Sequence, residues 1–220
     1  MTSLFGAALF AGCNNDSSSG FVGQPVQIKV TGRTDLSAEV ATDAGPYVFT
    51  VVDTGGTGVQ GVTVNFTSVG PATLLSTTAV TDQGGSVLTS VHFSQVAGTV
   101  AITATAVGIT TPAVVHTNSY AAPASRMTGS GGGQVALRGT ALQDPISVLV
   151  TDTYGNPVVS VLVTMSTTGG TLGTLSGRTG ADGRFTTTYT LPATTGAQTI
   201  TAVATINNVN TTVTFTETAN

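Results

Sequence analysis

Gly45-Pro46-Tyr47-Val48-Phe49-Thr50-Val51-Val52-Asp53-Thr54 returns further along the chain as Asp144-Pro145-Ile146-Ser147-Val148-Leu149-Val150-Thr151-Asp152-Thr153. The two stretches align without a gap, and the register continues beyond them. Val62, Val64 and Phe66 match Val161, Val163 and Met165 at the same offset. One residue is then lost. Thr81, Gly85, Val87, Thr89 and Val91 match Thr179, Gly183, Phe185, Thr187 and Tyr189, and Gly98, Ile102, Thr103 and Ala104 match Gly196, Ile200, Thr201 and Ala202. So small a slip over so long a match means two copies of one structural unit.

Within each copy the apolar residues alternate. Val87, Thr89, Val91 and Phe93 take one phase, and Leu88, Ser90 and His92 the other. In the second copy Phe185, Thr187, Tyr189 and Leu191 take the inward phase. A period of two places every second side chain on one face of a strand, so these strands bury one face. Turn residues separate them: Gly55-Gly56, Gln83-Gly84-Gly85, Tyr154-Gly155-Asn156-Pro157 and Ala181-Asp182-Gly183-Arg184. Composition agrees with an all-β chain. Threonine is one residue in five, glycine numbers 28, tryptophan is absent and only 7% of residues are charged. Val, Thr and Ile are stiff at χ1 and suit a pleated surface. About seven strands per copy predict two tandem immunoglobulin-like β-sandwiches. Residues 25–119 form the first and residues 120–220 the second. The linker Tyr120-Ala121-Ala122-Pro123-Ala124 is short, and Pro123 biases Ala122 toward extended backbone.

The second copy carries a more specific pattern. Val150-Thr151-Asp152-Thr153-Tyr154-Gly155-Asn156-Pro157-Val158 leads into the apolar strand Val161-Leu162-Val163. Thr179-Gly180-Ala181-Asp182-Gly183 and Gly196-Ala197-Gln198-Thr199-Ile200-Thr201-Ala202 follow. Together these resemble the bacterial Ig-like domains of the invasin and intimin type. The first copy departs from the pattern, with Gly56-Thr57-Gly58 where Gly-Asn-Pro is expected. The resemblance implies a spacer or display module on a bacterial surface and carries no ligand site.

The N-terminus reads differently. Leu4, Phe5, Ala7, Ala8, Leu9, Phe10 and Ala11 form a short apolar stretch ahead of Gly12 and Cys13, and Asn14, Asn15, Asp16 and Ser17 begin a polar run. An apolar core, small residues and a polar continuation describe a secretion signal. Residues 1–12 are therefore expected to be a signal segment and residues 13–24 a polar tether. With Cys13 placed after Ala11-Gly12, the stretch resembles the lipobox of bacterial lipoproteins, which implies lipid attachment at Cys13. One cysteine excludes an intrachain disulfide. No run of about 20 apolar residues suggests a spanning helix.

Candidate chemistry is sparse. His92 and His116 have no further ligand at metal spacing, so no metal or other cofactor is expected. Asp53 and Asp152 occupy matching strand ends, where an aspartate bonds the backbone of the turn. Gly129-Ser130-Gly131-Gly132-Gly133 lacks the Gly-Lys-Ser/Thr of a phosphate loop and reads as a loop or strand kink. Asn65-Phe66-Thr67 and Asn210-Thr211-Thr212 are formal glycosylation acceptors lying within strands. No serine has a base in a recognisable arrangement, so no catalytic residue is assigned. A net charge of −4, with six basic residues scattered along the chain, excludes the cationic patch that nucleic acid requires.

The expectation is a non-enzymatic bacterial surface lipoprotein. It would be held to the cell surface or outer membrane by its lipid and would serve as a structural spacer or adhesion module. Its partners would be the membrane, a protein or surface polymer, or copies of itself. The alternative is a self-assembling subunit of an extracellular filament or coat. Uncharged strands such as Val100 to Val107 would then offer edges for pairing, or Phe21 to Val30 a strand donated to a neighbour.

Overall fold

The computed structural model describes residues 23–220. Cys13 and the signal segment lie outside the described residues, as does most of the tether. The first copy runs through β1 (Gln27–Val30), β2 (Ala38–Glu39), β3 (Asp43–Val52), β4 (Thr63–Val69), β5 (Ala72–Leu74), β6 (Thr78–Val80), β7 (Ser86–Phe93), β8 (Gly98–Ala106) and β9 (Ala113–Tyr120). The second runs through β10 (Arg126–Ser130), β11 (Val135–Ala136), β12 (Ile146–Thr151), β13 (Leu162–Thr167), β14 (Thr171–Leu172), β15 (Ser176–Arg178), β16 (Arg184–Thr187), β17 (Tyr189–Thr190), β18 (Gly196–Ile206) and β19 (Val209–Ala219).

Each copy is a two-sheet sandwich. In the first, a sheet ordered β1-β3-β7-β5 packs on one ordered β2-β9-β8-β4-β6. In the second, β10-β12-β16 and the short β14-β17 pair face β11-β19-β18-β13-β15. The chain has more strands than the expected seven per copy because single strands divide between sheets. Residues 27–39 pair first with β3 and then, in parallel, with β9. Residues 126–136 repeat the manoeuvre against β12 and β19. The segment after β4 divides likewise, β5 joining β7 and β6 joining β4. Such a crossing satisfies backbone groups along both sheet margins with one stretch of chain.

The inward phases are as the alternation predicts. Val87, Thr89, Val91 and Phe93 are buried, and so are Phe185, Thr187, Tyr189 and Leu191. Two separate apolar cores result. Tyr47, Phe49, Val64, Phe66, Phe93 and Ile102 centre the first; Ile146, Val148, Val163, Met165, Tyr189 and Ile200 centre the second. The sheets can close only where the hairpin turns clear the neighbouring backbone. Gly85 (φ 72°) and Gly183 (φ 70°) show why glycine stands there. A Cβ would meet the Val51 carbonyl oxygen at 2.5 Å in one copy and the Val150 carbonyl oxygen at 2.7 Å in the other.

Two expectations about exposed edges are corrected. β8, which spans the uncharged Val100 stretch, lies inside its sheet with β9 on one side and β4 on the other. Its backbone is already paired. Of the stretch Phe21 to Val30, expected as a strand for donation, Phe21 and Val22 lie outside the described residues, while residues 27–30 pair with Phe49 to Val52 of their own chain and Ile28 is buried in the core. Donating them would open the first sandwich. Gly129 and Ser130 belong to β10, and Gly131 (φ 90°) ends it.

Candidate functional site: the junction between the sandwiches

Asp53 and Asp152 build the same turn, and only the second extends it into a junction. Asp53 Oδ1 accepts the backbone N–H groups of Gly55 and Thr57, both at 2.9 Å. Asp152 Oδ1 accepts those of Tyr154 (2.9 Å) and Asn156 (2.8 Å). The aspartate thus replaces water for two donors that the turn leaves unpaired. In the second copy the other carboxylate oxygen is used as well. Asp152 Oδ2 accepts the linker N–H of Ala122 at 2.9 Å and the Asn156 side-chain amide at 2.8 Å.

Asn156 then reaches across to the first sandwich. Its Nδ2 donates to the Gln95 carbonyl at 2.8 Å, and its Oδ1 accepts the Ala97 N–H at 2.9 Å. Gln95 and Ala97 lie in the loop between β7 and β8, so one amide spans both sandwiches and the aspartate beneath it. Asp152 is 2% exposed, Asn156 7% and the linker Ala122 7%. Burial alone would push the Asp152 carboxyl up. The donors from the Asn156 side chain and backbone, Ala122 and Tyr154 outweigh it and hold the group below its ordinary 3.8. It is an anion enclosed by hydrogen bonds, which suits a fastener. Pro157, next in the chain, closes the turn through a bridge to Thr151. A groove of about 560 Å³ lies beside the joint, lined among others by Glu39, Ala97, Tyr120, Pro123, Pro157 and Val159. Glu39 is the one carboxylate on its wall, and the β2–β9 register sets Tyr120 opposite it.

No protein family and no curated protein matches the sequence. Solved structures do. Yersinia pseudotuberculosis InvD matches with a TM-score of 0.60 at 16% identity, over 84% of this chain and 57% of that one. The chain has the immunoglobulin-like fold of InvD. FdeC, an adhesin of Escherichia coli, aligns at a TM-score of 0.48 and 17% identity, over 87% of this chain and 63% of its own. The D0-D1 domain of intimin aligns at 0.35 and 20%, over 88% of this chain and 98% of its own. The chain thus spans less than two thirds of the InvD and FdeC structures.

The remaining sites read from the sequence stay apart. His116 is exposed on β9. His92 is exposed on β7, and the β3–β7 register sets it opposite Asp43, with Nδ1 2.6 Å from the carboxylate. Spacing along the chain could not reveal that pair. Among the described residues no three His, Cys, Asp or Glu side chains cluster as metal ligands. Asn65 and Asn210 lie in β4 and β19. Sequence reasoning also missed Glu217, which is fully buried in β19. Its Oε2 accepts the Gln134 N–H at 2.7 Å, while Oε1 has no partner. The strict alternation Phe215, Glu217, Ala219 was the available signal, since it assigns a carboxylate to the inward phase.

Proposed function

We propose that the chain is a non-enzymatic bacterial surface lipoprotein, attached to membrane through lipid on Cys13, in which sandwiches 25–119 and 120–220 act as a spacer or adhesion module. The observation that carries this reading is the Asn156 amide, buried between the sandwiches and bonded to both. A flexible tether would have no use for a buried, fully paired fastener. A module that holds a surface at a set distance or orientation does, because each hinge it lacks is entropy it need not lose on contact. The invasin- and intimin-like pattern of the second copy supports the same reading, and so does the InvD-like fold. The groove beside the junction offers mainly apolar contact, from Ala97, Ala121, Pro123, Pro157 and Val159, which favours adhesion.

Backbone ¹⁵N relaxation tests the spacer. The two sandwiches of the native chain should report one common tumbling time. Asn156→Ala should separate them into two shorter ones, with each sandwich still folded. Independent tumbling in the native chain would overturn the reading, as would a variant that tumbles as the native chain does.

A further inference from the structure

The two copies differ most on their outer faces, and the difference is directional. In the first sandwich Val48 and Leu88 are a cross-strand pair on the outside of the sheet. Leu88 is 56% exposed, Val80 on the neighbouring edge strand 61%, and Leu75 56%. Val48, Val80 and Leu88 line a groove of about 440 Å³, together with Ser76, Ala79 and Asp82. The second sandwich has the same strands in the same register with other side chains. Ser147 and Thr186 replace Val48 and Leu88 and bond each other at 3.1 Å. Arg178 replaces Val80. A fold that accepts hydroxyls and arginine at these positions does not require aliphatic ones there, so the apolar face of the first copy answers to something outside the chain.

Charge identifies the occupant. The first sandwich carries Asp35, Glu39, Asp43, Asp53 and Asp82 against Lys29 and Arg33, and Arg33 is already paired with Asp35. The second exposes Arg126, Arg138, Arg178 and Arg184, while two of its four acids, Asp152 and Glu217, are buried. One sandwich is therefore acidic outside and the other basic outside. The second also presents an aliphatic side chain beside an arginine at one edge. Leu162 is 53% exposed and stands opposite Arg178 across β13 and β15.

We propose that the groove of the first sandwich receives the Leu162–Arg178 edge of the second sandwich of another copy. The aliphatic side chain would enter between Val48, Val80 and Leu88, with Arg178 beside Asp82. Complementary charge sets the register, and burial of the aliphatic side chains supplies the affinity. The contact is heterologous. Each copy keeps one groove and one edge free after pairing, so the assembly grows rather than closing at a dimer unless its rotation forms a ring. This inference is independent of the anchor and of the joint at Asn156.

Sedimentation velocity of the purified full chain over a range of concentrations tests it, with two variants. Leu88→Thr installs the residue of the second copy in the groove, and Arg178→Glu reverses the charge of the edge. The native chain should form species beyond dimer as concentration rises, less so at high salt, and each variant should weaken association at least tenfold. Mixed one to one, the variants should recover a dimer and no more, because one retains the edge and the other the groove. A native chain that stays monomeric would overturn the proposal. So would association unaffected by either variant, or association lost with Leu88→Thr alone, which would mean that groove meets groove.

Discussion

Replacing Glu217 by Gln should stabilise the second sandwich above neutral pH and leave it unchanged in mild acid. The side chain is 0% exposed. One carboxylate oxygen holds the Gln134 amide at 2.7 Å, and the other makes no hydrogen bond. Burial pushes the carboxyl above its ordinary 4.5, and the amides of Gln134 and Gly133 pull it back only in part. The folded state therefore binds this proton more tightly than the unfolded chain does. Linkage then fixes the sign: the contribution to stability is complete below pH 4.5 and is lost as pH rises through the raised folded value. A buried polar atom without a partner costs about 1–3 kcal/mol. Glutamine keeps the shape and an acceptor for Gln134 and exchanges the charged oxygen for a neutral amide, which costs less to leave unpaired. The expected gain is thus about 1–3 kcal/mol at pH 8 and close to zero at pH 4.

Urea unfolding at fixed ionic strength reads this directly, since a changed midpoint at constant slope is a change in stability. The native midpoint should fall between pH 4 and pH 8, and the Glu217→Gln midpoint should fall less. Asp152 provides an internal control. Its carboxyl is held below 3.8, so its contribution is present above that pH and disappears only as pH falls further. That acid limb should persist in the Glu217 variant. A native midpoint that is flat from pH 4 to pH 8, or a variant less stable at pH 8, would refute the reasoning.

Three further outcomes are expected. Val163→Asp places an unpaired charge at a fully buried position and should cost about 4 kcal/mol or more, whereas Leu162→Asp, 53% exposed, should cost under about 1 kcal/mol by thermal unfolding. Residues 120–220 made alone should unfold in one cooperative transition, because they contain a complete core and lose only the two bonds from Asn156 to Gln95 and Ala97 and the bond from Val40 N–H to the Tyr120 carbonyl; a broad, non-cooperative melt would refute the division. Cys13→Ser should move the protein from the membrane fraction to the soluble fraction, and retention of the variant in membranes would refute the anchor.

The sandwiches were legible because their signal is local. Alternation along Val87 to Phe93 needs only neighbouring residues to declare an inward face, and the Asp182-Gly183 turn needs only two. The repeat supplied the rest, by showing the pattern twice. What escaped depends on residues far apart in sequence. Asp152 was read as a turn residue, and it is one, yet its second oxygen holds Ala122 and the amide that it steadies belongs to the joint with Gln95 and Ala97. The His92–Asp43 pair needs the register of β3 on β7. The supposed edge at Val100 was misread for the same reason. Lack of charge is a property of the strand, while being an edge is a property of the sheet order.

Comparison of the two copies separates what the fold needs from what this chain adds. The aspartate turn and its Oδ1 bonds are common to both, so Asp53 and Asp152 answer to the fold. Thr57 stands where Asn156 does, and its exposed hydroxyl has no second sandwich to reach among the described residues. The amide appears only where there is a joint to close. The antiparallel pairings of β8 on β9 and β18 on β19 likewise place Thr117 and Glu217 at one position, opposite Val100 in the first copy and Gln198 in the second. In the first copy Thr117 donates to the Leu36 carbonyl at 2.7 Å and accepts the Tyr47 hydroxyl at 2.9 Å. In the second, Ile146 takes the place of Tyr47, the hydroxyl is gone, and a longer carboxylate bonds Gln134 with one oxygen while the other is unpaired. A substitution that leaves a buried oxygen unpaired gains nothing in stability from that oxygen. Glu217 is thus the position where the second sandwich departs from its twin at a cost, and the pH dependence of its unfolding measures that cost.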